Sequence, residues 1–134
     1  MDNLVGNFIL SISTGMISGV IAGIYTGIIS SKYAAIEEIK REILRIIRDI
    51  DYVDGKYLRG HEMEKINIIF LASSELLGMN QRKAGLVVRQ NTNKLIEDID
   101  NTKKGNSLNT QILMDFQREV RQLPISKRYL LKIW

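Results

Sequence analysis

Between Leu4 and Ser31 the chain carries no charged residue and no proline for 28 consecutive positions. As a helix, such a run is about 42 Å long, against roughly 30 Å for the hydrocarbon core of a bilayer. A segment of this kind is either enclosed by protein or placed in lipid. A chain of 134 residues can build only a small core around it. The run therefore predicts one transmembrane helix. A cleaved signal peptide fits less well, because Asp2 and no Lys or Arg precedes the run, and no A-x-A-like site follows it. Lys32, Lys40, Arg41, Arg45 and Arg48 come directly after it. The positive-inside bias then places the N-terminus outside and the remaining hundred or so residues in the cytoplasm. The absence of cysteine agrees with a reducing compartment.

Inside the run, glycine recurs at every fourth position: Gly15, Gly19, Gly23 and Gly27. Each costs about 1 kcal/mol relative to alanine in a helix interior. The four-residue step extends to Asn3, Asn7 and Ser11 on one side and Ser31 on the other. A second row, Thr14, Ser18, Ala22, Thr26 and Ser30, lies beside it, while Leu10, Ile17, Val20, Ile21, Ile24 and Ile28 read as lipid-facing. Membrane helices associate through close backbone packing and interhelical hydrogen bonds. The glycine row is thus expected to be a helix–helix contact in a homo-oligomer. Asn7, Ser11, Thr14, Ser18, Ala22 and Thr26 are the candidates for lining a pore.

Beyond the span, Ile36, Ile39, Ile43, Ile46, Ile50 and Val53 alternate at three- and four-residue steps. That spacing is a heptad with β-branched a and d positions, which shifts coiled coils from dimers toward trimers and tetramers. It puts Ile36, Ile39, Ile43, Ile46 and Ile50 at an oligomer interface and makes a tetramer the first choice. Leu44 and Ile47 widen the stripe, as packing within one chain would also require. Three segments result: 1–31 as the span, 32–54 as a coiled-coil-like juxtamembrane helix, and 55–134 as a cytosolic helical domain. Within the last, Gly55 and Gly60 bracket a turn, Gly78 is a candidate C-cap, and Gly85 is a weak point in a helix. Ser107 is read as the cap of a helix with Leu108, Ile112, Phe116, Val120 and Leu123 inside, and Pro124 ends it. No run alternates with strand period over a useful length. The expected class is all-α, one transmembrane helix continuing into a helical bundle.

No catalytic constellation is present, so an enzyme is not expected, and neither is a cofactor or metal. His61 is the only histidine, no phosphate-binding glycine loop occurs, and Asp49, Asp51 and Asp54 lack the remaining spacing of a calcium loop. The basic residues carry more information. Arg82, Lys83, Arg89 and Lys94 lie among asparagines and glutamines without an acid, and Arg118, Arg121, Lys127, Arg128 and Lys132 surround a single Glu119. Such residues suit phosphate oxygens and base edges, and Tyr129 and Trp134 could stack on a base. Basic residues beside a membrane also attract anionic lipid.

In layout, across the whole chain and without a shared motif, the sequence resembles the small membrane effectors of bacterial antiphage defence. The resemblance implies a cytosolic bundle that senses a nucleotide or oligonucleotide second messenger. It further implies a coupling helix, a gate or pore in the inner membrane, and a signal-producing enzyme encoded nearby. A holin-like or toxin lesion without ligand, and a membrane-anchored scaffold for another protein, are the competing expectations.

Overall fold

The computed structural model describes residues 2–131. One helix, α1 (Asp2–Arg48), takes up the span and continues for 47 residues without a break. It leads into a two-stranded antiparallel hairpin, β1 (Asp51–Val53) and β2 (Lys56–Arg59), and then into α2 (Met63–Gly78), α3 (Arg82–Lys103), α4 (Thr110–Arg121) and the short α5 (Lys127–Leu130). The C-terminal part of α1 packs against α2 and α4, and α3 packs against both of these helices in turn. The protein is mostly helical, with one long apolar N-terminal helix.

The isoleucines after the span have a different role from the one their heptad spacing predicts. Ile36, Ile39, Ile43, Ile46 and Ile50 are all buried by the chain's own bundle, in one core with Ile66, Ile69, Leu76, Val88, Leu95 and Phe116. Ile47, outside the heptad, is buried as well. This wider stripe is what a helix needs when neighbours cover it on two sides. A coiled-coil seam through these residues is therefore excluded in the folded bundle, and the tetramer expectation loses its basis. As the continuous helical pattern predicts, α1 passes position 31 without interruption. Residues 32–48 supply the first helix of the bundle, but the expected juxtamembrane helix stops short of 54, because residues 51–53 form β1.

The hairpin escaped the sequence reading because its strands have only three and four residues. Asp54 and Gly55 both have positive φ, 52° and 75°, as a two-residue type I′ turn requires. Val53 pairs with Lys56 and Tyr52 with Tyr57, but Asp51 pairs with Arg59, so Leu58 forms a bulge. Gly60, at φ 83°, follows immediately. A Cβ there would lie 2.3 Å from the Asp49 carbonyl oxygen, so the return of the chain to α1 needs glycine.

Helix ends also moved. Gly78 stays inside α2, and the left-handed residue is Asn80, at φ 60°. The Gln81 and Asn80 amides donate to the carbonyls of Leu76 and Leu77, at 2.9 and 3.1 Å, which is a Schellman closure with asparagine in the glycine position. Asn109, not Ser107, caps α4 by accepting from the Gln111 amide at 3.0 Å. The inner face of α4 carries Leu113, with Ile112 only half-buried. Gly85 is a point of close approach between helices, because a Cβ there would meet the Leu77 side chain at 2.9 Å and the Ser73 carbonyl at 3.0 Å. Gly85→Ala is expected to destabilise the α2–α3 pair by about 1–3 kcal/mol through overpacking, measurable in the midpoint of chemical unfolding.

A buried carboxylate closes the far end of the bundle. Asp98 on α3 accepts from the Tyr57 hydroxyl at 2.5 Å and from the Asn109 amide at 3.1 Å, tying hairpin, α3 and the start of α4 together. Burial, and then the hydrogen bond to Asp98, push the Tyr57 phenol well above its ordinary value of 10.0. A raised folded-state pKa means that its stabilisation is complete below the unfolded value and is lost above it. Stability should therefore fall as pH rises beyond about 10, and Tyr57→Phe should flatten that limb of a pH–stability curve.

Candidate membrane span and basic end of the bundle

Apart from its last two turns, the apolar stretch of α1 is left uncovered by the rest of the chain. Leu4, Phe8, Leu10, Met16, Ile17, Val20 and Ile24 are all exposed. A Cβ built on Gly6, Gly15, Gly19, Gly23 or Gly27 meets nothing within 4 Å. The apolar part of α1 up to Ile24 thus has no partner within the chain, and α1 is long enough to cross a membrane.

Because α1 is a continuous α-helix, residues four apart step about 40° around its axis. The eight-membered row from Asn3 to Ser31 therefore winds around the helix, and a straight neighbour can follow only its middle, Gly15 to Gly27. The second row lies mainly on another side. Thr14 and Ser18 precede Tyr25 by eleven and seven residues, spacings that return to nearly the same azimuth, whereas Gly23 and Gly27 lie about 160° away from it. Tyr25 faces the bundle, for its hydroxyl donates to the Leu131 carbonyl at 3.0 Å. Ile28 and Ile29, on the same side, are half-buried. Thr14 and Ser18 thus stand above the bundle, Gly19, Gly23 and Gly27 point away from it, and Gly15 lies to the side. The Thr14 hydroxyl is satisfied within the helix, donating to the Leu10 carbonyl at 2.7 Å.

The Tyr25–Leu131 bond also fixes which end of the bundle adjoins the span. Buried Gln81 holds the C-terminal segment there through a double hydrogen bond to the Ser126 backbone, 3.2 Å from its amide nitrogen and 2.6 Å to its oxygen. This contact brings the start of α3 beside α5. Two basic stretches far apart in sequence consequently meet around a cleft of about 380 Å³ lined by Asn80, Arg82, Lys83, Ser126 and Tyr129. Lys127 and Arg128 lie on α5 in the same segment, and Arg121 ends α4 just before Pro124. Arg82, Lys83, Arg121, Lys127 and Arg128 are all exposed, and no ion pair joins any of them to a described residue. Neither residues 76–96 nor residues 120–131 contain a carboxylate.

The remaining basic candidates are not gathered there. Arg89 is half-buried and donates to the Ser73 and Ser74 hydroxyls at 3.1 and 2.9 Å. It links α3 to α2. Arg118 pairs with Asp115 at 3.1 Å, and Lys94 is exposed further along α3. Lys132 and Trp134 lie outside the described residues. A larger groove, about 650 Å³ between α1 and α2, is apolar but carries Glu38, Glu42 and Glu75, which disfavours an anion. His61 is half-buried, with its ring 5.5 Å from that of Tyr57 and its Nδ1 buried without a hydrogen-bond partner among the described residues.

No known family matches the chain, and neither the curated proteins nor the solved structures include one found similar to it.

Proposed function

We propose that this chain is a homo-oligomeric single-pass effector of a bacterial inner membrane, with its N-terminus outside and its bundle in the cytoplasm. Its spans associate through Gly15, Gly19, Gly23 and Gly27 and permeabilise the membrane. An anionic nucleotide or oligonucleotide engages the basic end of the bundle and sets their packing, in the manner of the antiphage effectors whose layout the chain resembles. The observation that carries this reading is an unpartnered glycine row on a helix that enters the bundle without a hinge. A change of tilt at the bundle is then transmitted directly along α1 to the span.

The position of the glycines supports association without obstruction. Helices meeting through such a row cross at about −40° and diverge on either side of the contact. The bundles, on the opposite side of α1, then lie outside the contact. Residues 3–24 form about 33 Å of helix, close to a hydrocarbon thickness, so that Tyr25 falls at the interface. In such a ring, Ala22 and Thr26, between the glycines and the Tyr25 side, flank the conduit. Thr14 and Ser18 would draw the bundles onto the axis if they faced it.

Dye leakage from vesicles carrying the full chain tests this reading, with ATP, a cyclic dinucleotide and a short oligoadenylate supplied in turn. Ala22→Leu should dry a conduit and abolish leakage while the oligomer mass is retained, since hydrophobic constrictions gate by dewetting. Arg82→Glu should remove the ligand dependence. Inserted wild-type protein that leaks with none of these probes would sink the pore and favour the scaffold. Leakage indifferent to all ligands would favour the holin-like lesion.

A further inference from the structure

We propose that the basic end of the bundle is a docking surface for the anionic phospholipid headgroups of the leaflet from which α1 emerges, with Arg82, Lys83, Lys127 and Arg128 as the contacting cations. The inference rests on the membrane placement of α1, one part of the functional reading; headgroups hold these four cations in the resting state, and the nucleotide of that reading has to displace them, so the docking depends neither on that ligand nor on whether the oligomer conducts.

Three independent observations converge on it. The first is height. The hydroxyl of Tyr25, a residue of the apolar run, donates to the Leu131 carbonyl, so α5 sits beside the last turns of the apolar run, where headgroups begin. The second is charge. Arg82, Lys83, Lys127 and Arg128 have no ion-pair partner among the described residues, and the two segments that bear them are free of carboxylates from 76 to 96 and from 120 to 131. The acids of the hairpin and of the α3 C-terminal half, Asp51, Asp54, Glu97, Asp98 and Asp100, lie toward the other end, where Asp98 binds Tyr57 and Asn109. The third is rigidity. Gln81, only 1 % exposed, clamps Ser126, and Leu130 is buried in the core, which fixes α5 beside α3. Leu131, 52 % exposed, extends this edge with apolar surface. Cations in the headgroup layer with an apolar residue beside them form the pattern of an interfacial anchor. A freely diffusing phosphate would meet the same cations without needing them at that height.

Lipid selection around the docked bundle provides the test. The chain has no cysteine, so Gln122→Cys in the full-length protein gives a single exposed site for a fluorophore. The protein is reconstituted in phosphatidylcholine vesicles containing a trace of either phosphatidylglycerol or phosphatidylcholine that carries a nitroxide near its headgroup. Quenching should be several-fold stronger with labelled phosphatidylglycerol. It should fall most of the way to the phosphatidylcholine level in Lys127→Gln/Arg128→Gln and in Arg82→Gln/Lys83→Gln, since each variant removes two of the four cations from the surface. All four positions are exposed, and an unchanged circular dichroism spectrum confirms that the fold is kept. Equal quenching by the two lipids, or selectivity indifferent to these substitutions, would overturn the proposal. So would displacement by glycerol phosphate well beyond that by sodium chloride of equal ionic strength, which would assign the cations to a soluble phosphate. Leakage measured on the same vesicles separates the two claims. Selectivity without leakage counts against the pore alone, and leakage without selectivity counts against the docking alone.

Discussion

Gly19→Ile combined with Gly23→Ile is expected to leave an inserted, folded protein that runs in detergent at the protomer mass of 15.3 kDa. Both substitutions enter open space in the single chain, with nothing within 4 Å of either Cβ. Within the helix they are mildly favourable, because glycine is the poorer helix former by several tenths of a kcal/mol at each site. Any loss of assembly is therefore intermolecular. Isoleucine at both positions holds two backbones apart and removes the close packing on which association in lipid depends. A mass by light scattering equal to that of the wild-type oligomer would place the contact on another face.

Ile43→Asp should have an equally large effect of a different kind. Ile43 is fully buried on the stretch of α1 that belongs to the core, and an unpaired carboxylate there costs several kcal/mol or more. That is a large part of the roughly 5–15 kcal/mol that stabilises an ordinary domain. The bundle should lose its cooperative unfolding transition and its protection from protease, while the span still inserts. Ile43→Val, which removes one methylene, should cost only about 1 kcal/mol. If Ile43 belonged to an intermolecular seam, Ile43→Asp would instead lower the oligomer mass and leave a folded bundle.

The long apolar N-terminal helix was legible in the sequence because it depends on composition alone, namely 28 positions without charge or proline. So was the helical class of the bundle, since α2, α3 and α4 carry apolar residues at helical spacing. The partner of the isoleucine stripe was not legible. A heptad seam and a bundle face share the steps Ile36–Ile39–Ile43–Ile46; Leu44 and Ile47 widen the stripe in the sequence, but only the burial of Ile47 decides for the bundle. Helix ends failed for local reasons. Asn80, not Gly78, holds the left-handed position after α2, and Asn109, not Ser107, caps α4. Both choices depend on where the chain must turn. The basic candidates were individually visible, but their division was not. The Gln81–Ser126 clamp draws Arg82 and Lys83 toward α5, whereas Ser73 and Ser74 hold Arg89 against α2. A glutamine in an amide-rich stretch gives no sign of either pairing.

That the spans touch one another along the glycine row is the claim on which the rest depends, and the lack of cysteine makes it directly measurable. Single cysteines at Gly19, Gly23, Ile17, Ile21 and Ile24 are introduced into the full-length chain and oxidised in the native membrane. A disulfide requires Cα atoms within about 7 Å, a distance reached only where backbones approach closely. Cross-linked dimers are expected from Gly19→Cys and Gly23→Cys and not from Ile17→Cys, Ile21→Cys or Ile24→Cys. Cross-linking at the isoleucines with none at the glycines, or at no position, would contradict it.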